Sequence, residues 1–541
     1  MGYSTETALH SLVSQIEKDL MERGYAVKTF LDIEGAFNNT SHEVVCREAT
    51  LRGVPHRLVQ SIRGMLRRQV VTTLGAVSVG GWMDRGCPQG GVLFSLLWDT
   101  RLTPAVSVKY LGVILDRKLT WKEHLDDRCK SVTSYFWLCR RYFGQTWGLR
   151  SGMGYWIYTA ILRPSLLYAA VLWWPRVQLA SAKISLEHLR ALILRGALGA
   201  MRTTPIAAMG VLLGIEPLCH TVVAAAASAA YRLSCVGKWR AGTRHTKLPD
   251  GVLSHPIFSM GQDKMPAIRA LKAPFKVCFP EREDWLRPQG PVLKNGLILF
   301  TDGSRIGLGS GAGVYCRGEE ISESIPLGEF ATVFQAEIVT ILCCAQGFLA
   351  NKERGQRISI CLNSQAALRA LGAPITTFKL VWECRGTLEE LARDNEGNEA
   401  ADQLARAGSE TALVGPEPAV GIPHSLGKRE IGRWLRNQHL ASWKSAAGCR
   451  QAKALLGDSL REGLASGIKK LSRREAGLVT RILTGHGTLN YHLQKLDISM
   501  RPNCRKCNAP EETSLHVLCD CPAYTSVKLE LLGSAFLESQ Q

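Results

Sequence analysis

The chain has 541 residues, 46% of them hydrophobic and 21% charged, which is long enough for several cores and too apolar for a disordered segment. A formal net charge of +19 points to a polyanionic partner such as nucleic acid, and the basic residues are spread along the chain at Arg67-Arg68, Arg140-Arg141, Lys469-Lys470 and Arg473-Arg474. Seventeen cysteines without a signal peptide argue against a secreted disulfide scaffold and for an intracellular, reducing compartment, cytoplasm and/or nucleus, where thiols are core residues or metal ligands.

The first expected element is an amphipathic helix from Thr5 to Arg23, with Leu9, Leu12, Val13, Ile16 and Leu20 on one face. A strand from Ala26 to Leu31 then runs into Asp32, inside Phe30-x-Asp32-Ile33-x-x-Ala36-Phe37-Asn38. Further on stands Gly86-Cys87-Pro88-Gln89-Gly90-Gly91-Val92-Leu93, and soon after Trp98 comes a strand pattern, Lys109 to Asp116. Asp126-Asp127 fall in a helical pattern with Trp121, His124, Leu125 and Arg128, and are expected on its solvated side. The apolar stretches Gly154 to Trp174 and Ile206 to Tyr231 are interrupted by Arg163-Pro164 and by Glu216-Pro217 with His220, so both are expected as buried helices and no membrane partner is implied.

The first motif resembles that of reverse transcriptases whose aspartate ligates both catalytic metals, which gives Asp32 that role. The second resembles the motif that positions template and incoming nucleotide, which implies nucleic-acid contacts from Pro88, Gln89 and Gly90; Phe94-Ser95 stands where a Ser-Pro pair is usual. Lys109 to Asp116 looks like the primer-side strand of that fold, and about 121 to 237 resembles its thumb and connection. The hairpin bearing paired aspartates that the family places between them takes several tens of residues at ordinary element lengths, and they are missing. Asp32 is left without metal partners, so polymerase activity is not expected.

Two Pro- and Gly-punctuated stretches, about Gly242 to Pro291 and Gly415 to Gly427, read as linkers that set off a second α/β block. In it, Leu297 to Phe300 make a short apolar strand expected to run out at Thr301-Asp302-Gly303-Ser304. Glu337 lies one turn into a helix whose apolar face carries Phe334, Ile338, Ile341, Leu342 and Ala345. Ile358, Ile360 and Leu362 alternate as a strand ending at Asn363-Ser364-Gln365, and a helix spans Leu380 to Arg393. Asp402 closes Gly397-Asn398-Glu399-Ala400-Ala401-Asp402. Acids at strand ends and early helix turns converge on one edge of an α/β sheet, where divalent ions can bridge attacking and leaving oxygens.

Over about 291 to 410 this order resembles type 1 ribonuclease H, which cuts the RNA strand of RNA-DNA hybrids with two magnesium ions. The resemblance makes Asp302, Glu337 and Asp402 the Mg2+ ligands, with Asn363 in place of a fourth carboxylate and Ser304 beside the bound nucleic acid. A carboxamide brings no charge to such a site. Only Asp394 to Glu396 separate the last helix from the Gly-Asn-Glu motif, too few for the further strand and His-containing loop that the family has there.

The C-terminal block opens with helical patterning at Ile431, Trp434, Leu435 and His439 and ends in Cys504-x2-Cys507-x8-His516-x4-Cys521. Three thiolates and an imidazole at this spacing suit a tetrahedral zinc ion, with Cys519 as an alternative to Cys521. Arg501, Arg505 and Lys506 nearby suggest a nucleic-acid contact, and a structural cap is the rival role.

The expectation is a multidomain α/β and α+β protein: a palm/thumb remnant over 1–120 and 121–240, a linker at 241–290, a mixed ribonuclease H-like sheet over 291–410, linker and helices over 411–499, and a CCHC knuckle at 500–525. This order resembles the Pol polyprotein of non-LTR (LINE-type, Jockey-like) retrotransposons, implying RNA-DNA hybrid or RNA as partner and no small-molecule substrate beyond nucleotides. Three lesions fall on catalytic parts, the pattern of a decayed copy or a gene model that skipped segments. The alternative is a non-catalytic nucleic-acid-binding protein or a product without function.

Overall fold

A computed structural model describes residues 4–24, 26, 42–51, 53–66, 69–74, 77–82, 106–142, 144, 147–269, 275, 277–279, 297–307, 309–316, 322–351, 358–391 and 417–534. The chain forms two units, Tyr25–Thr120 and Met1–Gly24 with Trp121–Gln541.

In the smaller unit, helices His42–Leu51 and His56–Leu66 close over Cys46, Ala49 and Val59. Strands Gln69–Leu74 and Val77–Trp82 form an antiparallel hairpin. The expected strand from Lys109 to Asp116 is instead a second hairpin, Ser107–Tyr110 with Val113–Asp116. It turns at Leu111 and Gly112, whose φ values of 46° and 78° are those of a tight two-residue hairpin loop. The glycine inside the apolar run decides for a turn, and a single strand does not form.

In the larger unit the first helix spans Thr5–Arg23; the Ser4 hydroxyl accepts from the Thr7 amide at 3.3 Å and Gly24 ends it in the left-handed region. The sequence groups this helix with the N-terminal block, but it clusters with the larger unit. His10 and Glu17 are buried there beside His245. The helices that follow centre on Leu172, Trp173, Trp174, Leu186 and Leu194, all essentially inaccessible. Asp126 and Asp127 lie in helix Lys122–Arg140, Asp126 exposed and Asp127 partly so.

The two apolar stretches bend by 56° and 50°, the first between Leu167 and Ala170 because Arg163-Pro164 continue the helical run, and the second between Leu213 and Leu218; the first is also only partly buried, with Met153, Trp156 and Ile161 exposed. By length and composition Val333–Ala350 is apolar enough to cross a membrane, as is each bent pair taken as one span. Helix Val333–Asn351 lays Ala336, Ile338, Ile341 and Ala345 into a protein core over the sheet.

Both expected linkers are folded in their described parts. Thr243 caps the turn Arg244–Thr246, Ile257 packs with Ile422 and Leu426, and Gln262 bridges Ile422 in parallel. Helix His424–Ser445 begins within the second stretch. It packs closely on helix Leu218–Cys235, because a Cβ at Gly427 would lie 2.2 Å from the Tyr231 ring. The Pro and Gly signals mark turns, and buried residues that the composition of the stretch hides anchor them, His245 in one and Ile257 in another.

The sheet has four strands in the order Ser322–Gly328, Gly309–Cys316, Leu297–Ile306, Ile358–Cys361. The first three are antiparallel and the last runs parallel to Leu297–Ile306. Helix Val333–Asn351 covers it and helix Lys379–Leu391 packs on that helix. The central strand does not stop at Asp302 as the sequence suggests: Asp302, Gly303 and Ser304 pair with Gly313, Ala312 and Gly311. Small partners let the pairing continue where Asp-Gly-Ser alone reads as a turn.

Candidate functional site

Asp302 and Asn363 meet through strand register. Phe300 pairs with Cys361 in the parallel ladder, and two residues further along, the Asn363 Nδ2 donates to Asp302 Oδ1 at 3.0 Å. Glu337 is brought to the same strand by a glycine. A Cβ on Gly303 would fall 2.7 Å from the Glu337 amide nitrogen and 2.9 Å from the Val333 carbonyl oxygen, so only glycine lets the helix lie this close. Asp302 and Glu337 are 5% and 3% exposed.

The helix start is fixed from several sides. Thr332 and Gln335 cap each other reciprocally, the Gln335 side chain accepting from the Thr332 amide at 3.1 Å and the Gln335 amide donating to the Thr332 hydroxyl at 3.3 Å. Gln335 Nε2 donates to Asp263 Oδ2 at 2.9 Å, and Asp263 Oδ1 accepts from the Leu380 amide at 2.9 Å. Burial pushes the Asp263 carboxyl above its ordinary range, against the pull of these donors. From the central strand, Arg305 Nη1 donates to the Ala331 carbonyl at 2.9 Å. Neither Asp263 nor Gln335 stood out in the sequence; Asp263 sits in a stretch that composition marks as linker.

The second constellation is the thiol cluster. The ligand atoms of Cys504, Cys507, His516 and Cys521 all lie within 4.8 Å of one another, and this is the one such group among the described residues. Cys504 and Cys521 sulfurs are 3.9 Å apart, and Cys507 Sγ lies 3.1 Å from His516 Nε2. Tetrahedral zinc with bonds of about 2.3 Å to sulfur sets thiolates roughly 3.8 Å apart, so the geometry fits the ion. Cys519, in the single turn His516–Asp520, stays outside the set, which decides for Cys521.

Burial works against ionising Cys504, but the amides of Cys507 and Lys506 outweigh it and bring its thiol down to about 7. Burial and the facing thiols push Cys521 up to about 11. A divalent cation relieves such crowding of thiolates. Buried Lys528 adds a positive charge alongside, its ammonium donating to the Cys519 and Cys521 carbonyls at 3.0 and 3.2 Å.

The basic residues around the cluster are not all available to a ligand. Arg505 donates through Nε to both oxygens of buried Glu512, at 3.1 and 3.0 Å, and through Nη2 to the Thr488 carbonyl at 2.7 Å. Arg505 thus braces the loop from within while its side chain stays 53% exposed. Glu511-Glu512 carries no sequence signal for which of the two turns inward. Arg473 is likewise buried at 3% exposure, donating to the Gly144 and Ala197 carbonyls at 2.7 and 2.9 Å and to that of Gly196, so it is no part of a surface track.

The structure thus brings Asn363 to Asp302, sets the Glu337 backbone against the neighbouring Gly303, and gathers the four cluster ligands. Ser304 sits on the central strand opposite Gly311, partly exposed. Asp402, Asp32, Pro88, Gln89 and Gly90 lie outside the described residues. No protein-family model, no curated protein and no solved structure matches the chain.

Proposed function

We propose that the protein is a retrotransposon-derived Pol fragment that binds nucleic acid, RNA-DNA hybrid or RNA, through a ribonuclease H-like domain whose hydrolytic site is impaired. The reading is carried by one arrangement: a mixed sheet with Asp302 in its central strand, Glu337 at the start of the helix over it, and Asn363 at the end of the parallel strand. Impairment is supported by the same contact. Where the family has a carboxylate facing Asp302, this chain has an amide donating to it.

Among the described residues two carboxylates and that amide are a poor set for two divalent ions, and they support no hydrolytic step through magnesium. The cluster at Cys504, Cys507, His516 and Cys521 fits zinc, whose part is to hold the segment folded. Polymerase activity is not expected. The same hydrogen bond favours the second reading, a binding protein without catalysis, over an active nuclease.

Full-length protein with labelled RNA-DNA hybrid and Mg2+ tests this. Salt-dependent binding with cleavage absent or far below that of an intact site is the expected result. Robust cutting that Asp302→Ala abolishes overturns the impairment, and failure to bind any nucleic acid overturns the assignment itself.

A further inference from the structure

We propose that the thiol cluster acts as a latch on the neighbouring helix: metal at Cys504, Cys507, His516 and Cys521 fixes the loop carrying Glu512 and Arg505, and these hold Thr488 to Lys495 in place. The proposal rests on reading the cluster as a metal centre. It concerns what the loaded cluster orders outside itself.

Helix Asn490–Lys495 has six residues, far below the length at which an isolated helix persists in water. Its N-cap position is Leu489, which has no side chain to accept from the first amides. The missing acceptor comes from the cluster loop. Glu512 Oε2 accepts from the Asn490 amide at 2.7 Å, Asn490 Nδ2 donates to the Asn503 carbonyl at 2.8 Å, and Arg505 Nη2 reaches the Thr488 carbonyl at 2.7 Å.

Every one of these partners is set by the cluster's own turn. The Asn508 amide donates to the Cys504 carbonyl at 2.9 Å, the Cys504 amide to Ala509 at 2.9 Å, and the Glu512 amide to Pro502 at 2.7 Å. Glu512, 4% exposed, closes the bracket by receiving both the Arg505 amide at 3.3 Å and its guanidinium. So short a loop has little apolar surface to fix it, and the metal supplies what the core does not. From the latched helix the order passes on: His492 Nε2 lies 3.3 Å from the Thr203 hydroxyl, in the turn between helices Ala180–Leu198 and Ile206–Leu213.

The test is hydrogen exchange on full-length protein, zinc-loaded and chelator-stripped, beside Co2+ absorption as an independent measure of the cluster. Stripping is expected to speed exchange over 488–495 as well as over 502–521, by about tenfold or more in the helix. Arg505→Ala, a change at a half-exposed side chain, is expected to leave the tetrahedral Co2+ spectrum intact while speeding exchange over 488–495; Glu512→Ala should do the same more strongly. Exchange in the helix that ignores both metal and the Arg505→Ala change, with Co2+ bound normally, overturns the latch alone. Absence of any Co2+ or zinc binding overturns the metal reading instead.

Discussion

The acidic site and the thiol cluster are both sets of side chains whose chemistry depends on mutual position, and they are built in opposite ways. The cluster takes its four ligands from Cys504 to Cys521, so the spacing in the chain nearly fixes the spacing in space. Asp302 and Asn363 stand 61 positions apart and meet only because a parallel ladder sets Cys361 beside Phe300, while a glycine admits the helix of Glu337 to the same strand. A local set survives changes elsewhere in the fold. A set assembled by register depends on every element between its members, and here one member is an amide.

The largest expected effect lies on the local side. Cys504→Ser or His516→Ala in the full chain should weaken Co2+ or zinc binding by well over about a hundredfold, since each removes a direct ligand. Metal content and Co2+ absorption measure it. Cys519→Ser is the control and should leave both unchanged; a loss there comparable to Cys521→Ser would break the claim that geometry selects Cys521.

On the other side the comparison turns on Gly303. Its hypothetical Cβ meets backbone atoms of Glu337 and Val333 and the Ala336 Cβ, none of them the yielding end of a flexible side chain. Gly303→Ala should therefore destabilise the protein by about 3 kcal/mol, read as a lower denaturation midpoint. A neutral result would mean that the helix is free to move off the strand and that this contact does not fix Glu337 against it.

Much of this was legible in the sequence. The bounds of helix Thr5–Arg23, the alternating strand at Ile358, the helix beginning near Leu380 and the cluster ligands all follow from periodicity, caps and spacing. What was not legible depends on partners far along the chain. The central strand passes through Asp302 because Gly311 to Gly313 pair with it, and Asp263 is buried because Gln335 and the Leu380 amide receive it. No local pattern states either fact.

Distance along the chain does not by itself make a polar set incomplete, as a third constellation demonstrates. His10 Nε2 accepts from the Arg240 amide at 3.0 Å, so its proton sits on Nδ1 and points to His245 Nε2 at 2.9 Å; His245 Nδ1 then donates to Glu17 at 2.8 Å. All three side chains are buried, His10 stacks on Trp239, and the titratable and charged groups facing His10 are His245, Arg240 and Glu17. Burial, with His245 and Arg240, lowers His10 from 6.5 to about 4. The unfolded chain therefore takes up this proton first: the contribution is whole above pH 6.5 and is lost as pH falls toward 4, by about 3 kcal/mol. Denaturation midpoints of wild type and His10→Gln across this range should converge as pH drops. Parallel curves would show that the relay does not titrate as drawn.

The smallest expected effect bears most directly on the contrast between the two sites. Asn363→Asp replaces a donor at 3.0 Å from Asp302 with a second carboxylate, on an exposed residue beside a buried one. Without metal the two like charges face each other and a hydrogen bond is lost, so stability in chelator should fall by about 1.5 kcal/mol. Millimolar Mg2+ should restore part of that loss in the variant and do little to the wild type, because only the variant offers facing carboxylates to a hard cation. Recovery in the variant accompanied by hybrid cleavage would mean that register still assembles the acids and that one atom change separates this chain from activity. A loss that Mg2+ does not repair would mean that Asp302 and its neighbours form a hydrogen-bonded structural set, built by register and closed by an amide.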